Sequence, residues 1–551
     1  MKARFSLVWV GLLVGQFLTA QVHIQVDDPE RWDPESLRPY IGQTVIFDVP
    51  MVVTNNYNGL QISTRRIFAP TNQALPGSNK QAELMRLNDA GTIYLNGAPY
   101  ADGDVYYRLG EKIYNLTARV NSTSSLQWIS GKLEGNTRRD LENADIRAMV
   151  NIDDCDECLL VCTMNLEYYL AENTGSNNMG PSSYAAHQRQ RAKTSQALAK
   201  INADLYGFVE IEQGQQAAAE IANDLNANLP GRNYTFINDG GSASGTYTKS
   251  AFIYDKNKLK PIGKLQENNT RLQNRKKMIC FEETFTGTQE RFIFSVNHFK
   301  AKGNGGSGLD DSSLDNGQGG YNQSRGQEAQ SIMDQYLTYQ RNSFIHESDI
   351  LLMGDLNCYG YEDPIMLMVN RGMIDLHRAF HADSSYSYSY HGEAGYLDHA
   401  LCNGSLRPQV MGAAAFHINS DESDNYTYDK SDDRTMFRSS DHDPMLVGLH
   451  LDRTLTYDPS PILNSFEVLH NEADVLTITN AFKEGSNSYY AIYDIYGHPV
   501  VASKPLTNKV SDAVYSIEKK QQKIELPSLP GMYILHIYYE YKVYSYKFIV
   551  R

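Results

Sequence analysis

Six short polar segments, each set against an apolar run, hold the residues of this sequence best suited to chemistry. They are "TMNLE" with Asn165, "VEIEQ" with Glu210 and Glu212, "VNHFK" with His298, "GDLN" with Asp355 and Asn357, "LDHAL" with Asp398, and "SDHDP" with Asp441 and His442. Carboxylates hold a hard divalent cation through oxygen, the two histidines titrate near neutrality, and the two asparagines donate hydrogen bonds without titrating. Hydrolysis of a phosphate ester calls for that set. A cation screens the negative oxygens around phosphorus, and a base deprotonates the attacking water. Taken singly, each segment is ordinary turn chemistry beside a strand; it is their recurrence in one stretch that points to a site.

Positioning such residues requires a sheet. From residue 150 onward, the strand-like runs "LLVCTMN", "LYGFVEIE", "SAFIYD", "RFIFSVNHF" and "DILLMGDLN" alternate with helical stretches at 185–201 and 215–229, the pattern of an α/β fold. Strand ends in such a fold line one edge of the layer, where ligands bind, so the six segments are expected to meet there. Residues 21–145 alternate β-branched and aromatic runs with Gly, Asn and Asp turns and read as an all-β domain. The Pro- and Asp-rich "DRTLTYDPSPILNS" marks a linker at 453–462, and 463–551 is again β-rich. Inside the α/β region, "GNGGSGLDDSSLDNGQGG" is a surface loop by composition. Its Asp310, Asp311 and Asp315 offer oxygen ligands for Ca2+, but their spacing fits no EF-hand and a solvated loop is the simpler reading.

At 551 residues the chain is expected to form about two to four domains. A formal charge of −15 argues against gripping a polyanion by bulk basicity. Local cations would have to serve, and "RLQNRKK" supplies Arg271, Arg275, Lys276 and Lys277, which read equally as a solvated basic loop. The opening residues place Lys2 and Arg4 ahead of an apolar stretch and small residues near Ala20, as in a secretory signal peptide over 1–20. No later stretch has the roughly 20 apolar residues of a membrane span, so no transmembrane span is expected. "CDECLLVC" lacks a partner motif at zinc spacing, and the pairing of the six cysteines is open.

In the order "NHFKAKG", "GQGGYNQSRGQEAQ", "LLMGDLNCYGYEDP", "YSYSYHGEAGYLDHALCN" and "SSDHDPM", the region 160–451 resembles the endonuclease/exonuclease/phosphatase superfamily, which includes deoxyribonuclease I and exonuclease III. Within it, these ordered motifs look like those of the secreted bacterial nucleases. The resemblance implies a four-layer α/β/β/α sandwich with the site at the common end of two packed sheets. It also implies a secreted hydrolase of DNA, with RNA an alternative, of little sequence specificity and dependent on Mg2+ or Mn2+. Asn165 matches the family's amide and Glu210 its metal-binding glutamate. Glu210 is taken ahead of Glu212 because it follows Asp204 by the family's usual six residues; both are expected on one strand face, so Glu212 stays an alternative ligand. His298 matches the histidine at the scissile phosphate, with Lys300 a phosphate cation, and Asp355 and Asn357 match the phosphate- and nucleophile-positioning pair. Asp398 matches the aspartate that orients His442, the general base, and Asp441 a metal ligand. Where relatives show arginine followed by proline, "NRKKM" keeps Arg275, a further phosphate contact, without the proline.

Residues 21–145 resemble the OB-like domains of some secreted nucleases, with Tyr94, Tyr100, Tyr106 and Tyr107 available either for stacking on bases or for ordinary packing. The end of the chain, through "LPGMYIL" and "KFIV", resembles the C-terminal sorting domains of type IX secretion. That likeness implies the type IX machinery as a partner and an extracellular or cell-surface destination. An accessory β-sandwich that stays attached is the rival reading. For the whole chain, the alternatives are a phosphatase or phospholipid phosphodiesterase of the same superfamily, and an inactive surface-binding protein.

Overall fold

The computed structural model describes residues 22–57, 59–99, 101–102, 105–134, 138–175, 179–240, 246–270, 275–303, 316–340, 345, 347–452, 466–471, 475–480, 489–494, 499–505, 520–525, 531–539 and 542–550. The signal-like start, the 453–462 linker, Tyr100, Arg271 and the three loop aspartates Asp310, Asp311 and Asp315 lie outside the described residues.

The strand runs of the middle region are apolar on both faces because both faces are covered. In Leu159–Tyr169, Leu159 and Val161 point into one hydrophobic cluster while Leu160, Cys162 and Met164 point into another. Burial on both sides removes the usual alternation and leaves a nearly continuous apolar run. Two six-stranded sheets result. The first runs Tyr234–Phe236, Thr248–Asp255, Leu205–Glu212, Leu159–Tyr169, Met445–Leu449 and Val410–Ala415. The second runs Leu259–Glu267, Lys276–Glu283, Arg291–Asn297, Ile350–Asp355, Asp398–Asn403 and Met373–Asp375.

Between the sheets, Val161, Val209 and Phe252 meet Phe281, Phe294, Val296, Leu351 and Met353. Gly207 sits at this interface, where a Cβ would overlap Val296 and Thr163, so its lack of a side chain sets how closely the sheets approach. Outside the first sheet lie helices Tyr184–Ile201 and Gln216–Asn228, packed through Ala197, Leu198, Ile221 and Leu225. Outside the second lie Asn322–Gln340 and Asp363–Asn370, through Ala329, Ile332, Ile365 and Met368. The fold is a four-layer α/β/β/α sandwich.

Ahead of it, Met51–Asn55, Gln61–Ser63, Ile93–Asn96, Lys112–Ser122 and Ser125–Glu134 close into a barrel, because Lys112–Ser122 pairs with both Met51–Asn55 and Ser125–Glu134. Ile93–Asn96 and Ser125–Glu134 pair in parallel, the other barrel pairs antiparallel. Ile62, Ile93, Leu95, Ile113, Ala118 and Leu126 fill the interior. A helix, Asn79–Ala90, joins these strands, capped where the Ser78 hydroxyl accepts the Gln81 N–H at 3.2 Å. It buries only Gln81 and Asn88, and this near absence of apolar periodicity is why the sequence of this region reads as strands alone. Farther on, the described strands of 466–550 form antiparallel sheets of three and four.

Cys155 and Cys158 form a disulfide, while Cys162, Cys280, Cys358 and Cys402 are free and buried. No helix among the described residues is long and apolar enough to cross a membrane.

Candidate active site

The six segments meet at one end of the two sheets. Asn165 Nδ2 donates to Asp355 Oδ2 at 3.1 Å, joining the first sheet to the second. His298 Nε2 lies 3.7 Å from both Asp355 Oδ2 and Glu210 Oε1. His442 Nε2 lies 3.9 Å from Asp355 Oδ2 and 4.0 Å from Asp441 Oδ2. Asn357 donates its backbone N–H to Asp355 Oδ1 at 2.8 Å. Its side-chain amide reaches Asp355 Oδ2 and the Phe299 carbonyl.

The backbone bends sharply to achieve this. Glu167, Tyr168, Glu210 and Asn357 all adopt left-handed φ between 50° and 57°, an uncommon and costly choice for residues with side chains. In the parallel pairing of Leu159–Tyr169 with Leu205–Glu212, the register slips between Asn165/Val209 and Tyr169/Ile211. That irregularity separates Glu210 from Glu212 and corrects the expectation that they share a strand face. Glu210 turns to His298 and accepts the Tyr168 N–H at 3.2 Å. Glu212 turns to the following loop, where it accepts the N–H groups of Ala171, Glu172 and Asn173 at 2.8 to 2.9 Å. Both of its oxygens are taken, and the fold does not bring it to the cluster.

His442 is held from both sides. Its Nδ1 lies 2.7 Å from Asp398 Oδ2, which also accepts the Ser387 hydroxyl at 2.7 Å. Tyr388 stacks on the imidazole at 4.5 Å. The Asn419 amide donates to the His442 carbonyl at 2.7 Å. Asp443, without a role in the sequence reading, fixes the same turn by accepting the N–H groups of Asn419 and Ser420 at 2.8 and 2.9 Å. Asp441 and His442 precede the strand Met445–Leu449, so both face the cluster without the alternation a strand would impose.

Charge is crowded here. Burial first, then the neighbouring carboxylates of Asp441 and Asp355, push Glu210 up to about 7. Burial also drives Asp355 upward, against the pull of His442. Burial opposes a charge on His442, but Asp398, Asp441 and Asp355 outweigh it and raise its pKa well above the usual value. Burial and the nearby Arg275 depress His298 well below its usual value.

Glu167, two residues after Asn165, joins this crowd and is raised by burial, Asp441 and Asp424. Its Oε2 is buried with no hydrogen-bond partner. A buried unpartnered carboxylate oxygen beside two more carboxylates is the environment that a divalent cation would relieve. The donor chemistry therefore fits Mg2+ or Mn2+. Among the described residues no three His, Cys, Asp or Glu converge as a ready ligand set. A cation held mainly by Glu210 and Asp441 would need water or substrate oxygens to complete its shell, which is usual for Mg2+.

Arg275 lies at the edge of the cluster, its Nη1 3.5 Å from His298 Nδ1 and its Nη2 3.3 Å from Thr248 Oγ1. The rest of the expected basic patch is spent elsewhere. Lys276 is fully buried and paired with Glu328 at 2.8 Å, and Lys277 is buried against Asp239. Lys300 lies over the Tyr321 ring at 4.3 Å, with its backbone N–H held by Glu328.

Sequence reading missed Glu167, Ser387, Tyr388, Asn419 and Arg438. Glu167, Ser387 and Tyr388 lie inside quoted motifs without being singled out and Arg438 flanks one, but Asn419 carries no local signal and is recruited only by the fold. Arg438 lies among Glu167, Asp441 and Asp424, bonding Asp424 at 2.6 Å.

The barrel is tied to this end of the sandwich. Arg66 pairs with the buried Asp421 and lies over the Tyr386 ring at 4.0 Å; Tyr386 in turn stacks on His417 at 3.8 Å. Arg108, buried, pairs with Glu422 at 2.8 Å and donates to the His417 carbonyl at 2.6 Å. His417 Nδ1 lies 2.9 Å from Asp443. Residues 417–422 thus connect barrel arginines to the turn that carries His442.

Residues 173–442 match the sequence model of the Endonuclease/Exonuclease/phosphatase family, so the chain carries a domain of that family, a family of phosphate-ester hydrolases. Among solved structures, an endonuclease/exonuclease/phosphatase family protein from Bacteroides thetaiotaomicron is similar at 16% identity, covering 55% of this chain and 98% of that one, with a TM-score of 0.37. A mannosyl-6-phosphatase from the same organism is 16% identical over 52% of this chain and 98% of its own, with a TM-score of 0.35. The human Nocturnin catalytic domain is 12% identical over 54% and 95%, with a TM-score of 0.35. No curated protein matches the sequence.

Proposed function

We propose that residues 150–452 form a metal-dependent phosphodiesterase, a nuclease cutting DNA, with RNA an alternative, at little sequence specificity. The observation that carries this reading is the Asp398–His442 pair aimed into a cluster of carboxylates. With Nδ1–H given to Asp398 at 2.7 Å, the other ring nitrogen, Nε2, is the one free to take a proton, and the carboxylate fixes that tautomer and stabilises the resulting cation.

Glu210 and Asp441, with Glu167 beside them, would hold Mg2+ or Mn2+, which when bound supplies positive charge to screen the phosphate oxygens. That positive charge would also offset the pull of Asp441 and Asp355 that raises His442, leaving Nε2 of the neutral ring to take a proton from the attacking water. Asn165, Asn357 and His298 donate to the phosphate oxygens as their charge grows, and Arg275 adds a fixed cation at the rim. Asp355 holds Asn165 and Asn357 in place, bonding both amides.

The N-terminal sequence and the C-terminal motifs support export through the type IX machinery to the cell surface or beyond, with the end of the chain as the sorting domain. The barrel topology supports an OB-like reading of the N-terminal domain.

The test is plasmid digestion by the full chain with Mg2+ or Mn2+, repeated in chelator and with His442→Ala. Cleavage lost in chelator and in the variant is expected. A folded His442→Ala protein that digests as fast as the parent would remove the assignment of His442 as base.

A further inference from the structure

Two histidine–aspartate pairs meet at the turn that carries the base. In the first, His442 Nδ1 lies 2.7 Å from Asp398 Oδ2. In the other, His417 Nδ1 lies 2.9 Å from Asp443 Oδ2, and Asp443 directly follows His442. An ionised carboxylate only accepts, so Nδ1 of His417 carries the proton of that bond.

One short stretch, 386–388, touches both pairs. Tyr386 lies flat on His417, ring centres 3.8 Å apart and planes 6° from parallel, and Tyr388 stacks on His442 at 4.5 Å. Between them, Ser387 gives its hydroxyl to Asp398 Oδ2 at 2.7 Å, and its carbonyl accepts the Asp443 N–H at 2.8 Å. These bonds close a ring that runs from the His442 imidazole to Asp398, on to Ser387, and back to the backbone beside His442. Where Ser387 and Asp443 sit therefore sets how the base meets its orienting carboxylate.

His417 cross-links the same two segments a second time, with its ring on Tyr386 and its Nδ1 on the Asp443 side chain. Asp443 is fully buried. Its Oδ1 accepts the N–H groups of Asn419 and Ser420, and its Oδ2 accepts from His417 Nδ1 and the Ser420 hydroxyl. A buried charge depends on its full set of donors, so losing the one from His417 frees this side chain to turn and to move His442 with it. Arg66 lies 4.0 Å from the centre of the Tyr386 ring, and with His417 at 3.8 Å the two can only occupy opposite faces. The Tyr386 hydroxyl donates to Asp421 at 2.9 Å, the same carboxylate that Arg66 pairs with. The stack of Arg66, Tyr386 and His417 is thereby anchored at its barrel end.

We propose that His417 is a positioning residue for the reaction: through Asp443 and Tyr386 it fixes the distance and orientation at which His442 meets Asp398. The proposal rests on the assignment of His442 as base and adds what mounts it. His417 touches neither the carboxylate cluster nor the phosphate, so its loss acts on the chemical step and not on substrate binding. A displacement of about 1 Å at a reacting group costs about 10²-fold in rate.

The test compares two variants of the full chain. His417→Phe keeps a flat ring for Tyr386 and removes the donor, while His417→Asn places an amide N–H where Nδ1 stood. With Mn2+ and a labelled DNA substrate, kcat of His417→Phe is expected to fall about 10- to 100-fold with KM within about two-fold of the parent, and His417→Asn to recover to within about three-fold. A further readout needs neither metal nor activity: the Nδ1–H proton of His442, identified in the NMR spectrum by its loss in His442→Ala. It should shift or exchange away in His417→Phe and keep its position in His417→Asn. Ser420→Ala removes the other donor to Asp443 Oδ2 and carries the same expectations as His417→Phe, should that variant not fold. An unmoved proton in His417→Phe, a loss confined to KM, or a His417→Asn protein as slow as His417→Phe would overturn the positioning role. A proton displaced in His417→Phe and restored in His417→Asn, in a chain that cuts no DNA, would uphold the mount and sink the hydrolase reading instead.

Discussion

Nδ1 of His442 and Oδ2 of Asp398 are 2.7 Å apart, and the same carboxylate oxygen takes the Ser387 hydroxyl. This contact joins strand Asp398–Asn403 of the second sheet to the turn before strand Met445–Leu449 of the first. The tautomer of the base therefore depends on the two sheets staying in register.

Replacing Asp398 with Asn keeps the size of the side chain but removes the charge that holds Nδ1–H. Turnover of a DNA substrate by Asp398→Asn is expected to fall about 10²- to 10⁴-fold, with KM little changed, since the residue does not reach the phosphate. Steady-state kinetics decide it; a loss confined to KM would contradict the orienting role.

Glu210 and Glu212 are two residues apart and should fail differently. Glu210→Gln is expected to weaken Mn2+ binding by titration calorimetry while the melting temperature holds or rises, because a carboxylate whose charge is opposed first by burial and then by Asp441 and Asp355 has been made neutral. Glu212→Gln should leave Mn2+ affinity alone and cost about 1–3 kcal/mol of stability, since three backbone N–H groups lose an ionised acceptor. The reverse pattern would move the metal ligand to Glu212.

Arg108 on the barrel and Glu422 on the sandwich form a buried pair. Arg108→Met strands a buried carboxylate, although Arg138 still contacts it at 2.7 Å. A loss of about 3 kcal/mol is expected in calorimetric melting. Because Arg108 also holds the His417 carbonyl, kcat should fall more than KM rises. Unchanged kcat in the variant would mean that residues 417–422 keep the His442 turn without the barrel.

Glu111, at the same seam, is pushed up to about 7 mainly by burial, with Glu422 and Asp421 adding to the shift and Arg108 resisting it. Its folded pKa exceeds its unfolded one, so the folded state binds the extra proton between about pH 4.5 and 7 and this site's contribution falls as pH rises through that window. The full penalty above pH 7 is about 3 kcal/mol. Glu111→Gln should flatten the decline between pH 5 and 7.5 in melting experiments; an equally steep decline in the variant would place the titrating group elsewhere.

The sequence by itself carried the α/β character of the middle region, because strands covered on both faces must be continuously apolar, and it marked which strand ends carry titratable groups. It did not carry the direction of each side chain. Alternation put Glu210 and Glu212 on one face, and only the slipped register with left-handed φ at Glu210 parts them. The basic run at Arg275 to Lys277 read as a patch, yet the strand Lys276–Glu283 buries two of its cations against Glu328 and Asp239, partners 52 and 38 residues away in sequence. Helix Asn79–Ala90 was silent because it buries amides instead of an apolar stripe. The clamp of Arg66 and Arg108 on residues 417–422 spans some 300 positions. Local patterning reports what a residue is and which element it favours; what it faces is set by long-range packing, and that is where the tertiary structure decided.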